Sequence, residues 1–342
     1  MKSIKNIEVK DKVILMRADY NVPLKNGQIT DDLRIRASVP TIQYLLDHEA
    51  KRIVIMSHLG RPEGKDEELS LAPVAKRLSE LLGIPVEFVA ELTGELSDKV
   101  VLLENLRFDP REEENSEEFA KEMIDFVQPD VFVQDGFAVC HRAHASTVAM
   151  AKLAPVAVAG LLVEKEVEVL GSALNEPERP FIVVIGGAKV EDKQPLIEQF
   201  SPIADEIIVG GKIAADGYKS DDPKVFVANR DFDEDSEGRK LDLGPLATHD
   251  VVSRTEHAKT VLWNGVLGYA EDPAYATSST ALGYTLGTNP ECKSIICGGD
   301  TTAFINTLMH EHPDLEYSLI STGGGAALEF LLGHEMPGLT VL

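Results

Sequence analysis

Short apolar runs recur along this chain, and segments of helical pattern separate them. The runs are Val13–Met16, Ile53–Met56, Val100–Leu103, Val131–Val133, Phe181–Ile185, Ile207–Val209, Thr260–Trp263, Ser294–Cys297 and Tyr317–Ile320. Between them lie amphipathic stretches such as Val39–His48, Leu71–Leu82 and Glu117–Val127. Alternation of this kind predicts parallel sheets with helices on both faces. The runs are apolar almost throughout, as strands buried on both sides are. With 342 residues the chain is long enough for two domains, at roughly 100–200 residues per domain. The expected fold class is therefore α/β, with two doubly wound parallel-sheet domains joined by a hinge helix. Leu161–Leu174 reads as that helix, and Asn175-Glu176-Pro177 stops it. The expected layout is a domain over 1–160, a linker over 161–178, a second domain over 179–325 and a C-terminal segment over 326–342.

The residues just after each run carry the functional signal. In the first half they are Arg17-Ala18-Asp19-Tyr20-Asn21, Ser57-His58-Leu59-Gly60-Arg61, Glu104-Asn105-Leu106-Arg107, and Gln134-Asp135-Gly136 followed by His141-Arg142-Ala143-His144. In the second half they are Gly186-Gly187-Ala188-Lys189, Gly210-Gly211, Asn264-Gly265, Gly298-Gly299-Asp300-Thr301 and Ser321-Thr322-Gly323-Gly324-Gly325. Ligands of open α/β sheets bind at the carboxyl ends of the strands, where all these segments fall. One half offers arginine and histidine at that edge, the other glycine pairs. Two domains with two kinds of ligand site follow.

Net charge bounds the ligands. The formal charge is −24, which makes nucleic acid and anionic membranes poor partners. It suits a surface kept monodisperse by repulsion, or a salty cytoplasm. Against that envelope Arg34, Arg61, Arg107 and Arg142, with His58 and His141, form a basic set for a small polyanion, since guanidinium forks bind phosphate and carboxylate bidentately. Asp19 and Asn21 share the layer and suit substrate hydroxyls. The glycine turns let backbone N–H groups approach phosphate, and a following helix N-terminus favours negative charge. Neither G-x-x-x-x-G-K-[ST] nor a G-x-G-x-x-G after a strand occurs, so P-loop and standard dinucleotide folds are excluded. A helix starting at Gly187 would project Lys189 and Lys193 from one face. Asp300 stands at another helix start, as a dipole cap or a Mg²⁺ ligand beside phosphates. No apolar stretch approaches a membrane span of about 20 residues. The N-terminus lacks an apolar h-region. Cys140, Cys292 and Cys297 form no C-x-x-C, as expected of reduced thiols in a cytoplasmic, monomeric protein.

Together these segments closely resemble phosphoglycerate kinases. The matching strings are RADYNVPLKNGQITDDLRIRA, SHLGRP, LLENLRF, HRAHAST, PERPFIVVIGGAKVEDK, LDLGP, VLWNG, CGGDTT and STGGGAALEFLLGHEMPG, in the family's order. The resemblance implies reversible phosphoryl transfer from 1,3-bisphosphoglycerate to ADP, giving 3-phosphoglycerate and ATP with Mg²⁺, by domain closure. It implies substrate binding by Asp19, Tyr20, Asn21, Arg34, His58, Leu59, Gly60, Arg61, Arg107 and Arg142. Nucleotide binding falls to Gly187, Ala188, Lys193, Glu271, Gly298, Gly299, Asp300 and Thr301, with Asp300 reaching Mg²⁺ through the nucleotide. Catalytic contacts fall to Arg34, Lys193, Lys189, Gly323 and Gly324. The last residues, Glu335–Leu342, would fold back onto the N-terminal domain. The chain departs from the family at Val266, at Gln134 and Gly136, and at Lys212. It is also shorter, with the loss between Lys212 and Lys240, where the family builds part of its adenine pocket. Lys212–Ala215 and the strand near Val225–Val227 could rebuild that wall, and relaxed base choice, with GDP competing against ADP, is expected if they do not. A catalytically weak relative that binds nucleotide for regulation is the alternative reading.

Overall fold

The computed structural model describes all 342 residues, Met1–Leu342. The chain divides into two units, Met1–Val167 with Glu335–Leu342, and Glu168–His334. The division falls inside a single helix.

The first unit is built on six parallel strands: β1 (Val13–Arg17), β2 (Arg52–Met56), β3 (Glu87–Val89), β4 (Val100–Leu103), β5 (Val131–Gln134) and β6 (Ala157–Ala159). Their order across the sheet is β3-β4-β2-β1-β5-β6. The register pairs Leu15 with Val54 on one side and with Phe132 on the other. Connections run outward from β1 one way and then return to run the other, so β1 and β5 flank the switch point where ligands of such sheets bind. Helices α1 (Leu33–Asp47), α2 (Ala72–Leu82) and α3 (Glu117–Val127) cover the faces. Local chemistry sets their ends. Ser116 accepts from the Phe119 N–H to cap α3, and Gln128 closes it in the left-handed region. Pro at the first turn of α2 and Gly83 at φ +67° bound that helix. Helix α1 begins six residues before the expected start at Val39. The pattern invites a start beside Pro40, since proline favours a first turn, yet Pro40 lies inside the helix. One consequence is functional: Arg34 stands on the first turn of a helix rather than at a strand end.

Helix α4 (Leu161–Asn175) carries the chain across the division. The second unit repeats the plan with β7 (Phe181–Ile185), β8 (Glu206–Val209), β9 (Val225–Val227), a hairpin of β10 (Phe232–Glu234) and β11 (Lys240–Leu243), then β12 (Thr260–Asn264), β13 (Lys293–Cys297) and β14 (Leu319–Ile320). The six-stranded parallel sheet runs β9-β8-β7-β12-β13-β14, with the switch point between β7 and β12. Its helices are α5 (Gln194–Phe200), α6 (Gly211–Ala215), α7 (Pro245–Thr255), α8 (Thr277–Gly287), α9 (Gly299–Glu311) and α10 (Gly325–Leu331). Trp263 is wholly buried in this core. The polar stretch from Lys219 to Lys240, expected to hold one strand, holds β9 and the first strand of an antiparallel hairpin. The chain closes with α11 (Pro337–Thr340), which belongs to the first unit. There the Gly338 N–H donates to the Cys140 carbonyl at 2.9 Å, and Val341 and Leu342 pack on the core formed with α3. No helix is long and apolar enough to cross a membrane.

Candidate active site

At the switch point of the first sheet, side chains from several strand ends meet around one buried guanidinium. Arg17, the last residue of β1, is 1% exposed. Its Nε donates to Ser146 Oγ at 2.7 Å, and its Nη2 lies 3.2 Å from His58 Nδ1. Below it sits Glu112, fully buried, whose carboxylate accepts from both the N–H and the hydroxyl of Ser146. Burial pushes the Glu112 carboxyl up while the Arg17 charge holds it down. Arg17 and Glu112 thus neutralise each other through Ser146, which keeps a charged layer stable inside the unit.

Above this layer lie the expected substrate residues. Arg34 Nη1 pairs with Asp19 Oδ2 at 2.6 Å. Asn21 Oδ1 accepts from the Gly60 N–H at 2.9 Å. Arg107 is buried, donates through Nη1 to the Gly60 carbonyl at 2.7 Å and pairs through Nε with Glu113 at 3.0 Å. Its Nη2 is sealed from solvent without a hydrogen-bond partner. An unspent donor on a buried guanidinium is what an anion site leaves for its ligand. Arg142 Nε donates to His141 Nε2 at 3.1 Å. Arg61 is exposed. Burial, then Arg17, Arg107 and Arg34 in turn, hold His58 well below the usual histidine range. Burial, then Arg107, Arg17 and Arg142, bring His144 down to about 4. Both rings are therefore neutral near pH 7, and the arginines around them supply positive charge.

Two of the expected substrate residues turn their side chains into the scaffold. Tyr20 is buried, with its hydroxyl 2.8 Å from Ser38 Oγ. Leu59 packs into the core and is held at both backbone atoms by the Asn105 amide. Asn105, Arg17, Ser146 and Glu112 were not singled out from the sequence.

In the second sheet the glycine turns after β7 and β12 touch. The Gly187 N–H donates to the Val266 carbonyl at 2.9 Å. A Cβ on Gly186 would stand 2.2 Å from that oxygen, so only glycine permits the approach. Thr301, buried on the first turn of α9, accepts from the Gly265 N–H at 2.8 Å, so its hydroxyl braces the turn. Lys193 Nζ donates to Asn264 Oδ1. Burial lowers the Lys193 pKa, with Asp192 and Asp300 opposing. Asn264 Nδ2 is buried without a partner. The chain from Gly186 to Asp192 is a loop, and the helix starts only at Gln194. Lys189 and Lys193 therefore do not share a helix face. Lys193 caps the helix, and Lys189 is exposed on the loop.

A cavity of about 800 Å³ opens at this edge. Gly187, Ala188, Lys212 and Asp300 line one end, Glu271 and Tyr269 a rim, and Phe232, Lys240 and Leu241 a wall. The Tyr269 hydroxyl donates to Glu271 Oε2 at 2.9 Å. Gly298 takes φ +90° immediately before α9, and the space over Gly299 is open. In the Gly323–Gly325 turn, the Gly323 N–H is engaged by Ser321 Oγ at 3.1 Å. Nothing lies within 4 Å of a Cβ built on Gly324 or Gly325. Three or more His, Cys, Asp or Glu side chains do not gather anywhere as a metal cage. Asp300 alone at the helix start fits Mg²⁺, which takes one or two carboxylates and completes its shell with phosphates and water.

Comparison with known proteins agrees with this geometry. The family model described as phosphoglycerate kinase matches residues 4–225 and 213–334. The phosphoglycerate kinase of Dictyoglomus turgidum is 40% identical over 394 residues, covering 99% of this chain and 97% of the relative. That of Moorella thermoacetica is 39% identical, covering 99% and 98%. Both alignments are longer than the chain, so the relatives carry residues with no counterpart here. The two stretches of the family match overlap at 213–225, within the segment expected to be shortened. Among solved structures, the phosphoglycerate kinase of Coxiella burnetii superposes with TM-score 0.80 at 34% identity, covering 99% and 98%. That of Pyrococcus horikoshii gives TM-score 0.86 at 29% identity, covering 100% and 98%.

Proposed function

The chain belongs to the phosphoglycerate kinase family, and we propose that its two half-sites divide one phosphoryl transfer between them. The first unit binds 3-phosphoglycerate or 1,3-bisphosphoglycerate. The second binds ADP or ATP. In the forward direction an oxygen of the ADP β-phosphate attacks the phosphorus of the acyl phosphate. A P–O bond forms to the nucleotide, the P–O bond to the acyl oxygen breaks, and its electron pair leaves with the carboxylate of 3-phosphoglycerate. Such transfer asks little covalent chemistry of the protein and much positioning and charge stabilisation.

The observation that supports this reading best is the pairing of an arginine site with unspent donors and a glycine-turn cavity, each at its own sheet's switch point. In the first, Arg107 and Arg142 hold the substrate phosphate, with Arg61 reaching it from the exposed loop. Asp19 and Asn21 hold hydroxyl and carboxylate ends, and neutral His58 completes the pocket. Arg34 and Lys193 neutralise the moving phosphoryl group as its charge spreads. Gly323 and Gly324, with open space over Gly324, and Lys189 assist them. In the second, Glu271 holds the ribose, and Gly187, Ala188, Gly298 and Gly299 approach the phosphates. Mg²⁺ bound by Asp300 and those phosphates would screen their charge. Transfer requires acyl phosphate and ADP to meet with water excluded, which is the role of closure in such enzymes. We place the protein in the cytoplasm as a monomer.

The test is ATP formation from 1,3-bisphosphoglycerate and ADP by the purified chain, with and without Mg²⁺. Turnover that depends on the cation supports the reading. Nucleotide binding without turnover in folded protein would transfer support to a regulatory relative.

A further inference from the structure

The cavity of the second unit runs on past the place its phosphate end requires. Its lining follows one face of α9, from Asp300 through Ala303 and Phe304, then Thr307 and Leu308, to Glu311 and His312. That is the spacing of a single helical stripe, extending about 16–18 Å from Asp300 at 1.5 Å per residue. With phosphates at Asp300 and a ribose at Glu271, the base would fall to the remaining lining, which includes Leu241, Phe232 and Phe304. The part of adenine furthest from the ribose is its amino-bearing edge. Along α9 past Phe304 the same cavity is lined by Thr307, Leu308 and Glu311, with Thr280 and Tyr284 from α8, and this part is its far chamber.

The chemistry of this chamber selects what enters. Leu308 gives a buried apolar floor. The half-buried Tyr284 already meets one ring edge-to-face, His312, at 4.9 Å between centroids, so the chamber is built for flat groups. Glu311 at its end disfavours a second phosphate. At the rim, Tyr269 is 50% exposed, among the few large apolar side chains left open on this chain. Lining from the shortened segment stops at Lys212, Ala215, Phe232, Lys240 and Leu241, while the matched relatives carry additional residues. We propose that the far chamber accepts a planar apolar group attached to the amino edge of the purine, so that N6-aryl adenine nucleotides serve as phosphoryl acceptors. The proposal rests on the nucleotide reading given above.

The experiment compares ADP with N6-benzyl-ADP, by initial rates with 1,3-bisphosphoglycerate and by calorimetric binding. The variants are Thr307→Trp, which fills the chamber from an exposed position on α9, and Thr280→Trp, which fills it from α8. The native chain should use the benzyl analogue about as well as ADP. Each tryptophan should cut kcat/KM for the analogue by at least roughly tenfold, the scale on which a filled pocket discriminates, and leave ADP unchanged. Rejection of the analogue while ADP is used normally would overturn the chamber. So would equal use of the analogue by the native chain and both variants. Failure with both nucleotides would instead overturn the nucleotide reading beneath it.

Discussion

Arg17 shows what a sequence hides at the scale of one residue. Its place at the end of an apolar run marks it, but not its partners: it is buried against Ser146 and above Glu112. Those partners lie about a hundred positions away, and only the folded sheet brings them together. Removing one member of such a buried pair strands the other, typically at about 3–5 kcal/mol. Arg17→Met should therefore lower stability by that amount in urea denaturation, and adding Glu112→Gln should restore part of it. An unchanged midpoint in the single variant would remove the pair from the account. The histidines beneath the substrate pocket give a second prediction. His144 is held down to about 4 in the folded protein, against about 6.5 when unfolded. A depressed folded pKa contributes stability that is present above the unfolded value and lost as pH falls toward the folded one. Stability should thus decline between about pH 6.5 and pH 4, and His144→Gln should flatten that decline. Equal pH slopes in native and variant chains would contradict the assignment. Arg34, Arg107, Lys193 and Asp300 were picked out because guanidinium, ammonium and carboxylate groups announce anion and metal chemistry by type, and the fold sets each of them at a sheet edge or helix start. Motif position alone did not tell that the Tyr20 and Leu59 side chains point into the core.

Among elements, strands were readable and the segments between them less so. Runs such as Phe181–Ile185 and Val100–Leu103 coincide with β7 and β4, since strands buried on both faces leave no room for polar residues. Helix α3 spans the expected stretch because its period and its Ser116 cap agree. The Gly186–Asp192 loop was misread as helix because glycine turns before a helix carry no marker of where the helix begins. The hairpin of β10 and β11 was missed because Phe232–Leu243 is mostly charged, and only cross-strand pairing makes it a strand pair. That hairpin lines the cavity of the second unit with Phe232 from the shortened segment and Leu241 just past it. Losing the half-buried Phe232 ring should cost about 1–2 kcal/mol of apolar contact. Phe232→Ala should therefore raise KM for ADP roughly five- to thirtyfold with kcat unchanged. A fall in kcat with KM unchanged would place the hairpin in the chemistry instead.

At the level of the whole molecule, charge and topology act separately. The two switch points, β1 with β5 and β7 with β12, put each half-site at the crevice its sheet provides. Net charge contributes nothing to that placement but does bear on stability. Asp and Glu number 57 against 33 Lys and Arg, so repulsion opposes the compact state. Salt screens that repulsion and also weakens surface ion pairs such as Lys10–Glu49. Exposed pairs are worth little individually, so the excess of acid should dominate. Raising salt from 0.05 M to about 1 M should increase Tm by roughly 1–3 °C, equivalent to about 1–2 kcal/mol. A fall in Tm would show that the ion pairs outweigh the net charge. The central claim is that an arginine of one unit and a lysine of the other serve the same moving phosphoryl group. Its most direct test is steady-state ATP formation from 1,3-bisphosphoglycerate and ADP by the native chain, Arg34→Ala and Lys193→Ala. Each substitution should cut kcat roughly 10²–10³-fold, about 3–4 kcal/mol of transition-state stabilisation, with KM little changed. A rise in KM alone, with kcat at the native value in either variant, would contradict it.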